Sequence, residues 1–125
     1  MKKFGPLFIA LYLASTLLFL GLQQKGILKM SQPTKHVMIT ITKDGFSPDE
    51  ITIHKNEIVD FVNDDIATHW PASNPHPTHD LYQQFDPKNS LLPHQTWSMQ
   101  FSRVGDWHYH DHIIPYHTGE INVVE

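Results

Sequence analysis

Short runs of alternating apolar and polar residues make up most of the chain, and this pattern restricts the fold more than any other feature. In residues 36–42, Val37, Ile39 and Ile41 alternate with more polar neighbours. Five later runs have the same alternation or are rich in β-branched and aromatic residues, at positions 51–53, 58–63, 97–101, 107–112 and 120–124. Alternation with a period of two indicates strands, and short strands separated by turns are typical of a sandwich. The sequence therefore predicts an all-β, antiparallel sandwich of Greek key type over residues 36–125.

The N-terminal residues have a different pattern. Lys2 and Lys3 precede an apolar run at residues 7–22, and this order is that of an export signal. We expect a hydrophobic helix within residues 1–25, acting as a signal anchor or a cleaved signal peptide, followed by a linker at residues 26–35. The anchor is favoured, because no clear small-residue cleavage site follows the run. Either reading places the domain in the periplasm or another extracytoplasmic space, and the anchor tethers it to the cytoplasmic membrane.

Charge and cysteine content exclude several classes of function. The formal net charge of the whole chain is −4, and the charged residues of positions 1–30 are all lysines, so the remaining chain is more acidic still. A nucleic-acid partner is therefore not expected. The chain has no cysteine, which excludes disulfides, thiolate nucleophiles, iron–sulfur ligation and the thiolate ligand of blue copper.

The histidines are concentrated in the second half of the chain. In the strand predicted at residues 107–112, His108, His110 and His112 share one face, and residues two apart are about 6.6 Å apart along a strand. Imidazoles at that spacing can reach a common ion with bonds of about 2 Å. His110 and His112, at the strand end, are the stronger candidates. His108, nearer the start of the strand, is expected on the surface.

A second group of histidines lies around the start of a proline-rich stretch at residues 72–93, which we expect to be a long functional loop. Neutral imidazole suits copper, zinc, nickel and iron. The predicted metal ligands are His69, His76, His79, His110 and His112.

The remaining polar residues considered as ligands are weaker candidates than these five histidines. Asp111 is either an oxygen ligand or an acceptor that orients an imidazole. His117 is a weaker ligand candidate, and three histidines are expected to be solvated surface residues: His36, His54 and His94.

Several motifs together resemble the cupredoxin family over residues 37–124. They are the run from Asn63 to His69, the turn at Pro93 and Gln95, the strand end Trp107 to His110, and Gly119 before a β-branched strand. The resemblance implies a first copper ligand at His69. It also implies a cysteine, a histidine and often a methionine after the penultimate strand. Asp111, Ile114 and His117 stand at those three positions, so the side chains differ from the family's set.

Two fragments are also similar to multicopper oxidases, in which such motifs hold copper ions. They are His69 with Trp70, and residues 107–112, which read WHYHDH. Small bacterial cupredoxin-domain proteins with a Tyr-His-Asp-His strand end and a His-Trp-Pro loop resemble this chain most. The resemblance implies metal binding outside the cytoplasm.

Three functions remain open from the sequence. The favoured one is an extracytoplasmic protein that binds a transition metal, copper or alternatively zinc, for storage, delivery or redox partnership. The expected partners are then a metal ion, the membrane, and a membrane redox or copper-handling protein. The second is a small copper oxidoreductase that uses the same histidines. The third is a metal-free scaffold that contacts a partner through residues 70–85.

Overall fold

The computed structural model describes residues 31–125. Every regular secondary-structure element in these residues is a β-strand. The predicted hydrophobic helix at residues 1–25 and most of the predicted linker lie outside the described residues. There are eight strands: β1 His36–Thr42, β2 Gly45–Ser47, β3 Glu50–His54, β4 Ile58–Asn63, β5 Pro71–Ser73, β6 Thr96–Gln100, β7 Gly105–Asp111 and β8 Thr118–Val124. The all-β prediction is confirmed. Within the described residues, no helix has the length and apolar character needed to cross a membrane.

The strands form two four-stranded sheets, in the orders β2-β1-β4-β6 and β3-β8-β7-β5. The pairing is mixed, whereas the sequence predicted antiparallel sheets. β1 pairs with β4, and β3 pairs with β8, in parallel. The chain passes from β2 in the first sheet to β3 in the second and then returns, so β4 enters beside β1 in the same direction. Alternation shows which side chains face the core, but not the direction of the neighbouring strand.

The core lies between the inward faces of the two sheets. Ile39 and Phe61 from the first sheet and Tyr109 and Ile121 from the second are fully buried. The ring of Phe61 lies 5.6 Å from that of Tyr109 across the sandwich. Because these residues alternate along their strands, β7 is fixed with Tyr109 inward and its neighbour His110 on the opposite face.

The long loop between β5 and β6 is packed against this core. Tyr82 and Phe85 are buried in the core cluster, and the ring of Phe85 lies 5.4 Å from that of Phe61. The loop is also joined to β5, since the Ser73 amide donates to the Phe85 carbonyl at 2.8 Å and the Tyr82 amide donates to the Ser73 hydroxyl at 2.9 Å. These contacts anchor the first half of the loop to the core and to β5.

Candidate metal centre

Four histidines converge at one side of the second sheet: His76, His79, His110 and His112. One ring nitrogen from each lies within 4.8 Å of all the others. His76 Nδ1 is 3.2 Å from His110 Nε2, and His79 Nε2 is 3.0 Å from His112 Nδ1. Ligands on a tetrahedral ion with bonds of about 2.0–2.1 Å are about 3.3–3.4 Å apart. The two closest nitrogen pairs are therefore near the spacing that a shared ion requires.

Strand β7 supplies two of these side chains through its alternation. With Trp107 and Tyr109 in the core, His110 projects from the outer face, where β5 pairs with it at Ala72. His112 lies just after the strand, two residues beyond His110, and so lies on the same face. Its backbone amide donates to the Trp70 carbonyl at 2.7 Å, which fixes its position relative to the start of β5.

The loop supplies the other two side chains from one turn. The His79 amide donates to the Pro75 carbonyl at 2.8 Å and so closes the turn that contains His76. His79 itself has a φ of 59°, in the left-handed region that few side chains adopt without support. The buried Tyr82 and Phe85 follow directly, so the packed part of the loop holds this turn in place.

Two histidines of the group are oriented by a second hydrogen bond. His110 Nδ1 donates to Asn74 Oδ1 at 2.8 Å, and His79 Nδ1 donates to Asp86 Oδ2 at 2.8 Å. Since the proton of each neutral ring is on Nδ1, the lone pair is on Nε2, which faces the other histidines. Outer partners of this kind are typical of histidines that ligate metals.

Asp86 is an acceptor shared by several groups. Besides His79, it accepts a hydrogen bond from Trp70 Nε1 at 2.9 Å and from Lys88 Nζ at 2.9 Å. Burial alone would raise the pKa of Asp86, but the hydrogen bonds from Lys88, His79 and Trp70 outweigh it and hold that pKa far below its usual value. Asp86 therefore faces His79 as a carboxylate and makes its ring a better electron donor.

The electrostatics of the group favour neutral rings. Burial, together with the neighbouring His79, His76 and His112, lowers the pKa of His110 to about 4, and Asp111 opposes this shift. Burial also lowers the pKa of His112, as do His79 and His76. At neutral pH both rings are therefore in the neutral form, which is the form that binds metal ions.

His69, the fifth predicted ligand, does not join this group. Its side chain is fully buried, with Nδ1 2.5 Å from Asp111 Oδ2 and Nε2 3.0 Å from Asp65 Oδ2. Both ring nitrogens are thus engaged by carboxylates. The physical reason is strand parity, because Asp111 lies on the face of β7 opposite to His110 and beside the loop that carries His69.

Asp111 links the strand end to this loop. Its Oδ1 accepts hydrogen bonds from the Trp70 and Ile113 amides, each at 3.0 Å. Of the two roles expected for Asp111, the structure shows the acceptor, but the imidazole it contacts is that of His69. At the positions where the resemblance expects a cysteine and a first histidine, the described chain therefore has a buried carboxylate–imidazole pair.

The other histidines lie away from the group. His117 is buried beside Gly45, and His108 is exposed and pairs with Glu120 at 3.3 Å. His36, His54 and His94 are exposed, as expected from the sequence.

Asn74 and Asp86, the two acceptors that orient His110 and His79, were not predicted from the sequence. Both lie within the proline-rich stretch at residues 72–93, where no periodicity indicates which side chains face each other. Their closeness in sequence to His76 and His79 was the only available signal.

Comparisons with known proteins give matches by structure alone. A scan against protein-family models found no match, and a search of curated proteins found none either. Among solved structures, the purple cupredoxin from Nitrosopumilus maritimus is 21% identical with a TM-score of 0.62, covering 70% of this chain and 99% of that chain. Amicyanin from Paracoccus versutus is 22% identical with a TM-score of 0.61, covering 75% of this chain and 86% of that chain.

A larger protein contains a similar unit. The copper-containing nitrite reductase from Thermus scotoductus is 21% identical with a TM-score of 0.62, and the match covers 80% of this chain but 25% of that chain. Similarity at this level of identity concerns the fold. The two-sheet sandwich of residues 31–125 therefore has the cupredoxin fold, as the motifs of the sequence predicted.

Proposed function

We propose that this chain is an extracytoplasmic copper-binding protein whose ion is held by His76, His79, His110 and His112. The observation that carries the proposal is the convergence of four imidazole nitrogens within 4.8 Å. Two of the rings are oriented by Asn74 and by Asp86, in the manner of metal ligands. The set contains only nitrogen donors, so the centre is free of thiolate.

The choice of copper has two supports. Imidazole ligands suit both copper and zinc, and for a given set of nitrogen ligands Cu(II) binds more tightly than Zn(II). In addition, structural neighbours include a protein named as a copper-containing nitrite reductase and amicyanin in a Cu(I) form. Zinc is therefore the competing ion that a binding experiment must include.

The role that follows is copper storage, delivery or redox partnership. At the cysteine position of the family this chain has Asp111, which is engaged with His69. The chain therefore lacks the thiolate that the cupredoxin resemblance implies. In residues 1–25, two lysines precede an apolar run, and this order supports a location outside the cytoplasm and tethering to the cytoplasmic membrane. A membrane redox or copper-handling protein is the partner proposed for a domain in that location.

Equilibrium binding of Cu(II) and Zn(II) to the full chain tests the proposal. We expect one Cu(II) per chain, with nitrogen couplings in its paramagnetic resonance spectrum. Replacement of two ligands, in the variant His110→Ala/His112→Ala, should reduce affinity by more than the about 10–100-fold that loss of an outer partner costs.

A matched control removes two exposed histidines instead, in the variant His54→Ala/His94→Ala, and should bind as the unmodified chain does. The proposal fails if the two double variants bind Cu(II) equally well.

A small copper oxidoreductase is the second candidate. The observation that favours it is Trp70, whose ring lies 4.8 Å from that of His112 and provides an aromatic group next to the centre. Repeated turnover of a phenol or of superoxide by the copper-loaded chain, absent from the His110→Ala/His112→Ala variant, would distinguish it from a binding protein.

A further inference from the structure

The four histidines of the centre are held unequally. His79 and His110 are 4% and 2% exposed, and each donates a hydrogen bond through its outer nitrogen to Asp86 and Asn74, respectively. His112 is half-buried, its ring packs against Trp70, and its backbone amide is bonded to the Trp70 carbonyl. These three rings are fixed independently of any ion.

His76 is held by less. It lies in the turn at residues 75–78, where every residue is exposed. The hydrogen bond and the ring pairs that it makes are with other members of the group, with Nδ1 3.2 Å from His110 Nε2 and its centroid 4.7 Å from that of His112. Within residues 31–125, no side chain or backbone group is hydrogen-bonded to its other nitrogen.

We propose that His76 is the replaceable ligand of the centre, and that an external imidazole-type nitrogen donor takes its position on the ion. This inference rests on the proposed function. Turning the exposed His76 ring into water breaks one coordination bond and leaves no buried polar group unpaired. Withdrawing His79 or His110 would also break the hydrogen bond of that ring to Asp86 or Asn74, which carries a further cost.

The same difference between the four rings means that the proposed centre is open to solvent on one side. Three rings form a fixed base on β7 and the packed part of the loop, and the fourth covers the side that faces solvent. A bound ion would therefore be reached from solvent past the exposed His76. Ligand exchange at that position would be the first step of release, because His79, His110 and His112 would still hold the ion while the new donor binds.

The test compares single alanine variants of the full chain loaded with Cu(II). His76→Ala should retain one Cu(II) with an affinity lowered by about tenfold, whereas His79→Ala and His110→Ala should lose more than about 100-fold, because each also loses an outer hydrogen bond. Transfer of copper to a chelator should be faster from His76→Ala than from the unmodified chain.

Free imidazole provides the decisive readout. Added to copper-loaded His76→Ala, it should restore the nitrogen couplings and the visible absorption of the unmodified chain. It should not do so for His110→Ala, whose vacated position is buried. The imidazole measurement on His76→Ala requires replacement of an exposed residue only, so it remains informative where a buried variant fails to fold.

The outcomes separate this inference from the function on which it rests. If the unmodified chain binds copper but His76→Ala loses it as fully as His110→Ala, or if imidazole leaves the His76→Ala spectrum unchanged, the inference is overturned and the copper-binding proposal stands. If the unmodified chain binds no copper, both are overturned.

Discussion

Asp86 shows how one side chain can organise the proposed centre without being one of its proposed ligands. Its carboxylate accepts hydrogen bonds from His79 Nδ1 at 2.8 Å and from Trp70 Nε1 at 2.9 Å. It thereby fixes the tautomer of one proposed ligand and the position of the indole that packs against another. Its pKa lies far below the usual range, so it contributes a full negative charge beside the site.

Replacement of this carboxylate by an amide tests its role. In Asp86→Asn the shape is kept but the charge is lost, and we expect the affinity for Cu(II) to fall by about 10–100-fold. Competition with a chelator of known affinity at neutral pH measures the change. Asp80→Asn removes a charge from an exposed position in the same loop and should change the affinity little. If both substitutions lower the affinity for Cu(II) equally, Asp86 acts only through its negative charge and not through its hydrogen bond to His79.

The residues of the site differ in how readily the sequence reveals them. His110 and His112 were identifiable because alternation along a strand defines which side chains share a face. His69 was predicted in the same group but lies apart from it, since Asp65 and Asp111 engage both of its ring nitrogens and no local pattern indicates these contacts. Asn74 and Asp86 lie in irregular chain, where only the folded structure determines which groups meet.

At the scale of elements, β7 and β8 form the framework that positions the two proposed ligands carried by β7 and its end, His110 and His112. Tyr109 on β7 is directly opposite Gly119 on β8, and its ring lies over the glycine backbone. A Cβ at Gly119 would overlap Cζ of Tyr109, because the two would lie closer than atoms can approach. The absence of a side chain at this position therefore lets Tyr109 reach the core, and places the adjacent His110 on the outer face.

The substitution Gly119→Ala should consequently destabilise the fold. The added methyl group displaces the buried Tyr109 ring, and overpacking of this kind costs about 1–3 kcal/mol. Chemical denaturation of the metal-free chain measures the free energy of unfolding. Thr118→Ala, at an exposed neighbouring position of β8, should lie within about 0.5 kcal/mol of the unmodified chain. A Gly119→Ala chain as stable as this control would show that Tyr109 can move without cost.

The strands themselves were largely predictable, and their arrangement was not. The longer strands have the alternation expected of elements with one buried face. The three-residue strands Gly45–Ser47 and Pro71–Ser73 are too short to show a period, and β5 lies within what was predicted as loop from residue 72 onward. The parallel pairs β1·β4 and β3·β8 arise from crossings between sheets, which no local pattern records.

At the scale of the whole molecule, the proposed centre joins two parts that are distant in sequence. His76 and His79 come from the loop after β5, and His110 and His112 from the end of β7. A bound ion would bridge them and would be held only when both are folded. A ligand that binds only the folded state stabilises it, by about 2.7 kcal/mol when its free concentration is 100 times its dissociation constant.

The melting temperature of the full chain therefore distinguishes a metal centre from a metal-free scaffold. For a domain of this size, about 2.7 kcal/mol corresponds to a rise of more than about 10 °C. We expect Cu(II) to produce that rise, a chelator to reverse it, and the His110→Ala/His112→Ala variant to show none of it. The double control His54→Ala/His94→Ala should respond as the unmodified chain does. A melting temperature that copper leaves unchanged would favour the scaffold, because an ion held between the loop and β7 cannot bind the folded state without stabilising it.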